Sequence, residues 1–247
     1  LAWFAVAALG LGGLMLAERR WPLRGAGARA GASRHVVNLM LGAMSLAVVA
    51  LVEQPLAGRL AGRVVARRQG LVQALPGPGW LRDAAAILLL DYATYHWHVA
   101  THRVPVLWRL HQVHHSDGAM DWTTALRFHA LDMLVSVPVR LVEVRLIGVR
   151  PRALRLYGAW FFANVVFHHA DLKLGADRQL AWFMTTPGMH DIHHSAEASA
   201  LDSNYSSGLS IWDRLHGTFN EARPDSAIGI PGVEPPSLGA ALAMPFR

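Results

Sequence analysis

The 247-residue chain contains no cysteine. That absence excludes disulfides, thiolate zinc sites, Cys-ligated iron–sulfur clusters and Cys-ligated haem. Charge is also scarce: 16% of residues are charged against 53% hydrophobic, and mean hydropathy is +0.25. A chain this apolar departs from soluble enzymes and points to the membrane. Lysine occurs once, at Lys173, beside 22 arginines. The arginines flank apolar runs, where anionic headgroups would hold them, and the net charge of +6 comes with no nucleic-acid-binding motif. The sequence also lacks HExxH and any internal repeat beyond the histidine boxes described next.

The chain has 14 histidines, and eight of them fall into three short boxes. His98 and His102 form HxxxH. His111, His114 and His115 form HxxHH, and His190, His193 and His194 repeat it. On a helix each set lies on one face, one turn apart, so each box can aim its rings at a common point. Neutral imidazole is the commonest protein metal ligand. One ion seldom takes more than about five ring nitrogens, so eight imply two metals. The bland alternative, a His-rich surface tract or packed core histidines, does not account for repeated spacing.

In order, residues 1–17 are wholly apolar and nearly long enough to cross a bilayer core, which a preceding segment would complete. Glu18 to Pro22 ends that run, and an Arg-rich loop leads to residues 36–52, a second apolar run that Glu53-Gln54-Pro55 is expected to close. Asn38 and Ser45 in that run can bond to neighbouring helices. Residues 58–75 place Arg59, Arg63 and Arg67 on one face and read as an amphipathic helix lying on the membrane. Residues 80–102 form a third span that ends in the first box. Asp91 within it is costly unless paired, and either orients a ligand histidine from behind or bonds to a neighbouring helix. Pro105 opens a new helix carrying box two. Residues 125–149, with Pro138, Arg140 and Glu143, read as a half-buried or kinked helix. Residues 151–170 form another apolar helix delivering His168 and His169, and Thr186-Pro187 starts the helix of box three. Asp191 either accepts a ring N–H or favours the start of that helix. The expected divisions are 1–79, N-terminal membrane helices and connector; 80–222, the catalytic domain; and 223–247, a peripheral tail.

From Asp91 to Phe219 the chain resembles the fatty acid hydroxylase/sterol desaturase superfamily of integral-membrane non-haem di-iron enzymes. The resemblance rests on DYATYHWHVATHR, LWRLHQVHHSD, TTALRFH, FHHADLKL, TTPGMHDIHHS, the Asn204-Tyr205 pair and IWDRLHGTF. Box two with its sequel looks closest to bacterial sterol-desaturase-like proteins and to alkylglycerol monooxygenase. The resemblance implies an all-α, integral-membrane helical bundle with a cytosolic-face, histidine-rich di-metal site. It implies two irons held by His98, His102, His111, His114, His115, His190, His193 and His194. FHHAD corresponds to a family motif with one histidine before a small residue, which makes His169 the ninth ligand and His168 a bystander. His129 matches a histidine of some branches only, and reads either as part of the site or as plain packing. Asn204 joins Asp91, His129 and Asp191 as residues that would support the ligands from behind. His96 and His216 are not ligands in this reading. Val99, Ala130 and His216 depart from frequent family residues, which affects the branch and not the metal site.

The function this implies is a membrane oxygenase that hydroxylates or desaturates a lipid (fatty acyl, alkyl or sterol-like) with O2. Electrons would come from a redox protein or a reduced cofactor such as tetrahydropterin, since no reductase domain is visible. The site would face the cytoplasm from a bacterial inner membrane, a placement that Arg counts leave nearly tied. The rivals are a membrane zinc hydrolase, and a non-enzymatic metal or haem carrier. The first needs an open site with a general base, and the second polar residues along a path through several spans.

Overall fold

A computed structural model describes residues 2–24, 31–222 and 227–247. Among these the chain is helical, and the one β feature is an isolated bridge between Ser195 and Ile228. Helix α1 spans Ala2–Arg20 and α2 Ala32–Val48. A π-helical turn, Val49–Glu53, joins α2 directly to α3, Gln54–Ala66. This corrects the expected stop at residues 53–55. The Pro55 ring would clash with the preceding turn of a regular helix, and the wider π turn makes room for it without ending the helix.

Helix α3 and its C-cap keep Arg59, Arg63 and Arg67 exposed, as an amphipathic reading requires, while the helix buries Ala57, Ala61 and Val64. Ala57 and Ala61 pack on protein, in a core with Ala86, Leu90, Val144, Ala153 and Tyr157. The reading of residues 58–75 as one continuous helix is corrected: α3 ends at Ala66, and a 3-10 turn, Leu71–Ala74, follows. Gly70 (φ +91°) meets Gly148 (φ +86°) so closely that a Cβ on Gly70 would lie 2.3 Å from the Gly148 Cα. Only glycine fits that crossing in that conformation.

Helix α4, Gly79–Arg103, carries the first box at its C-terminal end. The extended Val104 and Pro105 then open α5, Pro105–His115, which carries box two. Next come a 3-10 turn, Trp122–Leu126, capped by Asp121, and α6, Ala130–Glu143, with Pro138 inside and a π turn, Val144–Gly148, at its end. Helix α7, Pro151–His168, delivers the His168-His169 pair. Four short helices follow: α8 Asp177–Leu180, α9 Pro187–His193, α10 Ala198–Leu201 and α11 Ile211–His216.

The stretch read as a peripheral tail is packed against the rest. Its helix α12, Leu238–Ala243, buries Ala241 completely in a cluster with Val37, Leu41 and Val113. The Gly229 N–H donates to the His194 carbonyl at 3.1 Å. Those apolar positions and backbone groups gain more from covering boxes two and three than from water. Among the described residues one helical stretch, Ala32–Ala74, is long and apolar enough to cross a membrane. The runs at 1–17, 80–97 and 151–167 fall on α1, α4 and α7, with Leu1 outside the described residues.

Candidate metal centre

Four elements meet at the histidines. The C-terminal end of α4 presents His98 and His102, α5 presents His111, His114 and His115, the end of α7 presents His169, and α9 with its C-cap presents His190, His193 and His194. Eight of these nine residues are buried, and His102 is half-buried. Their ring nitrogens gather in overlapping groups: His98, His102, His111 and His115; His114, His169, His190 and His194; and His115, His193 and His194. Within each group the candidate ligand atoms lie within 4.8 Å of one another. The His193 ring also stands 4.7 Å from those of His98 and His102, centroid to centroid. The arrangement is thus two lobes, joined by His115, His193 and His194.

Four rings have a fixed orientation. His98 donates its Nδ1–H to the Tyr205 carbonyl at 2.6 Å, and His193 donates likewise to the Ser203 carbonyl at 2.7 Å. His169 donates to the Val165 carbonyl at 2.7 Å, and His111 to the Asp132 carboxylate at 3.3 Å. A proton held at Nδ1 leaves Nε2 with its lone pair, the state a metal ligand needs. Burial holds His114, His115, His190 and His194 well below the ordinary imidazole range. It also lowers His169 to about 4 and His193 to about 3. These rings are therefore neutral near pH 7.

The donor set fits a metal pair. Nε2 of His102, His111 and His193 and both nitrogens of His115 are buried without a hydrogen-bond partner. Nε2 of His169 lies 3.0 Å from Nε2 of both His114 and His190, and His194 Nε2 lies 3.1 Å from that of His190. Buried nitrogens left unpaired, and lone pairs turned on one another, are costly. Cations shared among them would satisfy both. The groups are all-histidine among the described residues, a donor set suited to iron, zinc or copper.

Other residues singled out in the sequence are not members of these groups, although the His168 ring stands 4.1 Å from that of His190, centroid to centroid. His168 is buried but outside the metal groups, and donates its Nδ1–H to Asn164 Oδ1 at 3.2 Å. His129 caps α6, its Nδ1 accepting the Leu131 N–H at 3.1 Å. Asp91 accepts the Leu209 N–H at 2.9 Å and the Trp212 indole N–H at 2.7 Å, so its part is to dock the α11 segment on α4 rather than to orient a ligand. Gly208 permits that approach, since a Cβ there would lie 2.0 Å from Asp91 Oδ1. Asp191 takes the Arg24 guanidinium, a cation from outside the box. Asn204 donates to the Met189 and Asn220 carbonyls at 3.0 and 2.9 Å, tying α9 to the segment after α11. His96 and His216 pair with Tyr92 and Tyr95 away from the metal groups.

Sequence reading missed Asp132, overshadowed by His129 three residues earlier. It also missed the carbonyls of Ser203, Tyr205 and Val165, which carry no residue-type signal.

The fatty acid hydroxylase family model matches residues 84–218. An ornithine lipid hydroxylase of Rhizobium tropici is 33% identical over 65% of this chain and 49% of its own length. The alkylglycerol monooxygenase of Homo sapiens is 29% identical over 59% of this chain and 32% of its own length. A cholesterol 25-hydroxylase-like protein of Danio rerio is 31% identical over 58% of this chain and 59% of its own length. The matched regions thus span half or less of the first two relatives. No solved structure matches the chain. The family match covers α4 through α11, the segment that builds the histidine centre, and the chain is a member of the fatty acid hydroxylase family.

Proposed function

We propose that this chain is a membrane-bound lipid hydroxylase or desaturase that uses two irons and O2. The observation that carries the reading is the convergence of nine ring systems, from four separate elements, on three overlapping groups of buried nitrogens. In the assignment we favour, His98, His102, His111, His115 and His193 hold one iron, and His114, His169, His190 and His194 hold the other. When bound, the metals supply O2 activation toward an unactivated C–H bond. The chain's own residues do the rest. Carbonyls and Asp132 fix the tautomers, burial keeps the rings neutral, and α12 with its preceding segment shuts water out beneath boxes two and three.

The lipid enters sideways from the bilayer, its apolar body between α2, α4 and α7, and its reacting carbon at the histidine end of α4. Helix Ala32–Ala74 supports a membrane location, and we place the histidine centre on the cytoplasmic face of a bacterial inner membrane. Electrons come from a separate redox protein or a reduced diffusible cofactor such as tetrahydropterin. The names of the relatives, lipid hydroxylases and monooxygenases, favour hydroxylation of a lipid over hydrolysis. A zinc hydrolase would need a general base in the centre, and among the described residues no carboxylate joins the histidine groups.

The test is turnover by protein purified in detergent without added metal, supplied with extracted membrane lipids, a chemical reductant and isotopically labelled O2. Iron-dependent transfer of label into a lipid, or iron- and O2-dependent loss of two hydrogens from one, supports the proposal. A preparation holding stoichiometric haem or one tight zinc, with no iron-dependent product, defeats it.

A further inference from the structure

Asp213, in α11, is fully buried, and its carboxylate accepts three hydrogen bonds. Oδ1 takes the Tyr205 N–H at 2.8 Å and the Thr218 hydroxyl at 2.7 Å, and Oδ2 takes the Ser206 N–H at 2.9 Å. These bonds close a loop over one lobe of the centre. Just before it stands Asn204, at φ +53°, a left-handed backbone that is uncommon outside glycine and persists where the surroundings enforce it. Its N–H donates to the Thr218 carbonyl at 2.9 Å, so both faces of residue 204 are tied to the segment after α11. The loop's two inward carbonyls, Ser203 and Tyr205, accept the Nδ1 protons of His193 and His98. The Tyr205 ring also lies 5.8 Å from the His98 ring and 5.7 Å from the His193 ring, centroid to centroid.

We propose that Asp213 is the positioning residue of a single metal site: by clamping the 203–206 loop it sets the tautomer and aim of His98 and His193, and so the affinity of the site they share. The proposal rests on the two-metal reading above. It is specific to one lobe, because the loop's two inward carbonyls reach only His98 and His193, and in the other lobe His169 is held by Val165 of its own helix. Asp213 touches no ring itself. It acts through backbone groups, and replacing it with Asn turns one acceptor oxygen into a donor facing an N–H.

The experiment counts metals per chain by mass spectrometry of the full protein in detergent, during titration with a competing chelator. It compares wild type, Asp213→Asn, Thr218→Val, His98→Ala and His190→Ala. Asp213→Asn is expected to weaken one site about 10–100-fold and leave the other at wild-type affinity. Combined with His98→Ala it should add nothing, whereas combined with His190→Ala it should deplete both sites. Thr218→Val removes one of the three bonds and should weaken the same site by less. That variant carries the test if Asp213→Asn does not fold. Two wild-type sites in the variants, or equal weakening of both, overturns the clamp while leaving the two-metal reading intact. A wild-type protein that never holds two metals overturns that reading, and the clamp with it.

Discussion

Box two rides on α5, eleven residues long, and box three on α9, seven residues long. The two helices carry the same HxxHH spacing and both begin with proline, yet they are held differently. Helix α5 is fixed from its C-terminal end by buried charge. Arg34 of α2 meets Asp117 at 2.6 and 2.8 Å, while Arg127 donates to the Val113 carbonyl at 3.0 Å and the Ser116 hydroxyl at 3.1 Å. Helix α9 is too short to be stable alone. Thr186 caps its start, Asn204 takes the Met189 carbonyl, and the 228–229 segment lies along its end. Each box also answers to an arginine of the N-terminal region, Arg34 for box two and Arg24 for box three. The difference teaches that identical ligand spacing does not require identical support. One box leans on a buried ion-pair network, the other on the loops around it.

The largest expected effect erases the distinction. His115 belongs both to the group of its own lobe and to the group that joins the lobes. His115→Ala should empty its own lobe, weaken the other through the joining group, and lower turnover by more than about 100-fold, read by metal content and product formation. If one metal stays at wild-type affinity, the lobes are more independent than described. Next, His169→Ala should lose metal from the box-three lobe and abolish turnover, whereas His168→Ala, outside the groups, should keep most of both. The reverse result would exchange the two assignments.

The supports can be weighed against each other. Arg34→Met removes the ion-pair partner of the buried Asp117, at an expected cost of about 3–5 kcal/mol in the denaturation of detergent-solubilised protein. Arg24→Met should cost less, about 1–2 kcal/mol, because the Arg24 side chain is 21% exposed and its pair partly screened. Equal costs would remove the contrast between the boxes. The smallest effect is expected from Thr186→Ala, about 1 kcal/mol by thermal unfolding, since one cap bond to the Met189 N–H is lost.

Much of the centre was legible because helical spacing converts directly into a shared face. The three boxes read as candidate ligands from their helical spacing, whereas the choice of His169 over His168 came from the family resemblance, and the structure brings His98, His102, His111, His114, His115, His169, His190, His193 and His194 together. Helix boundaries at Pro105, Pro151 and Pro187 were legible for the same local reason. Long-range partners were not. Nothing local to Asp91 says that Leu209 and Trp212 will arrive, or to Asp191 that Arg24 will. The continuation of α2 through Pro55 was hidden because a π turn has no compositional mark. The packed tail was hidden because Pro- and Gly-rich composition describes its backbone and not what Ile228 and Ala241 cover.

The most direct measurement is X-ray absorption at the iron edge, with metal quantification, on protein prepared without added metal. Two irons per chain, each with a first shell dominated by imidazole nitrogen, is the expected result. A single metal, a porphyrin signature, or iron bound mainly by oxygen would contradict it.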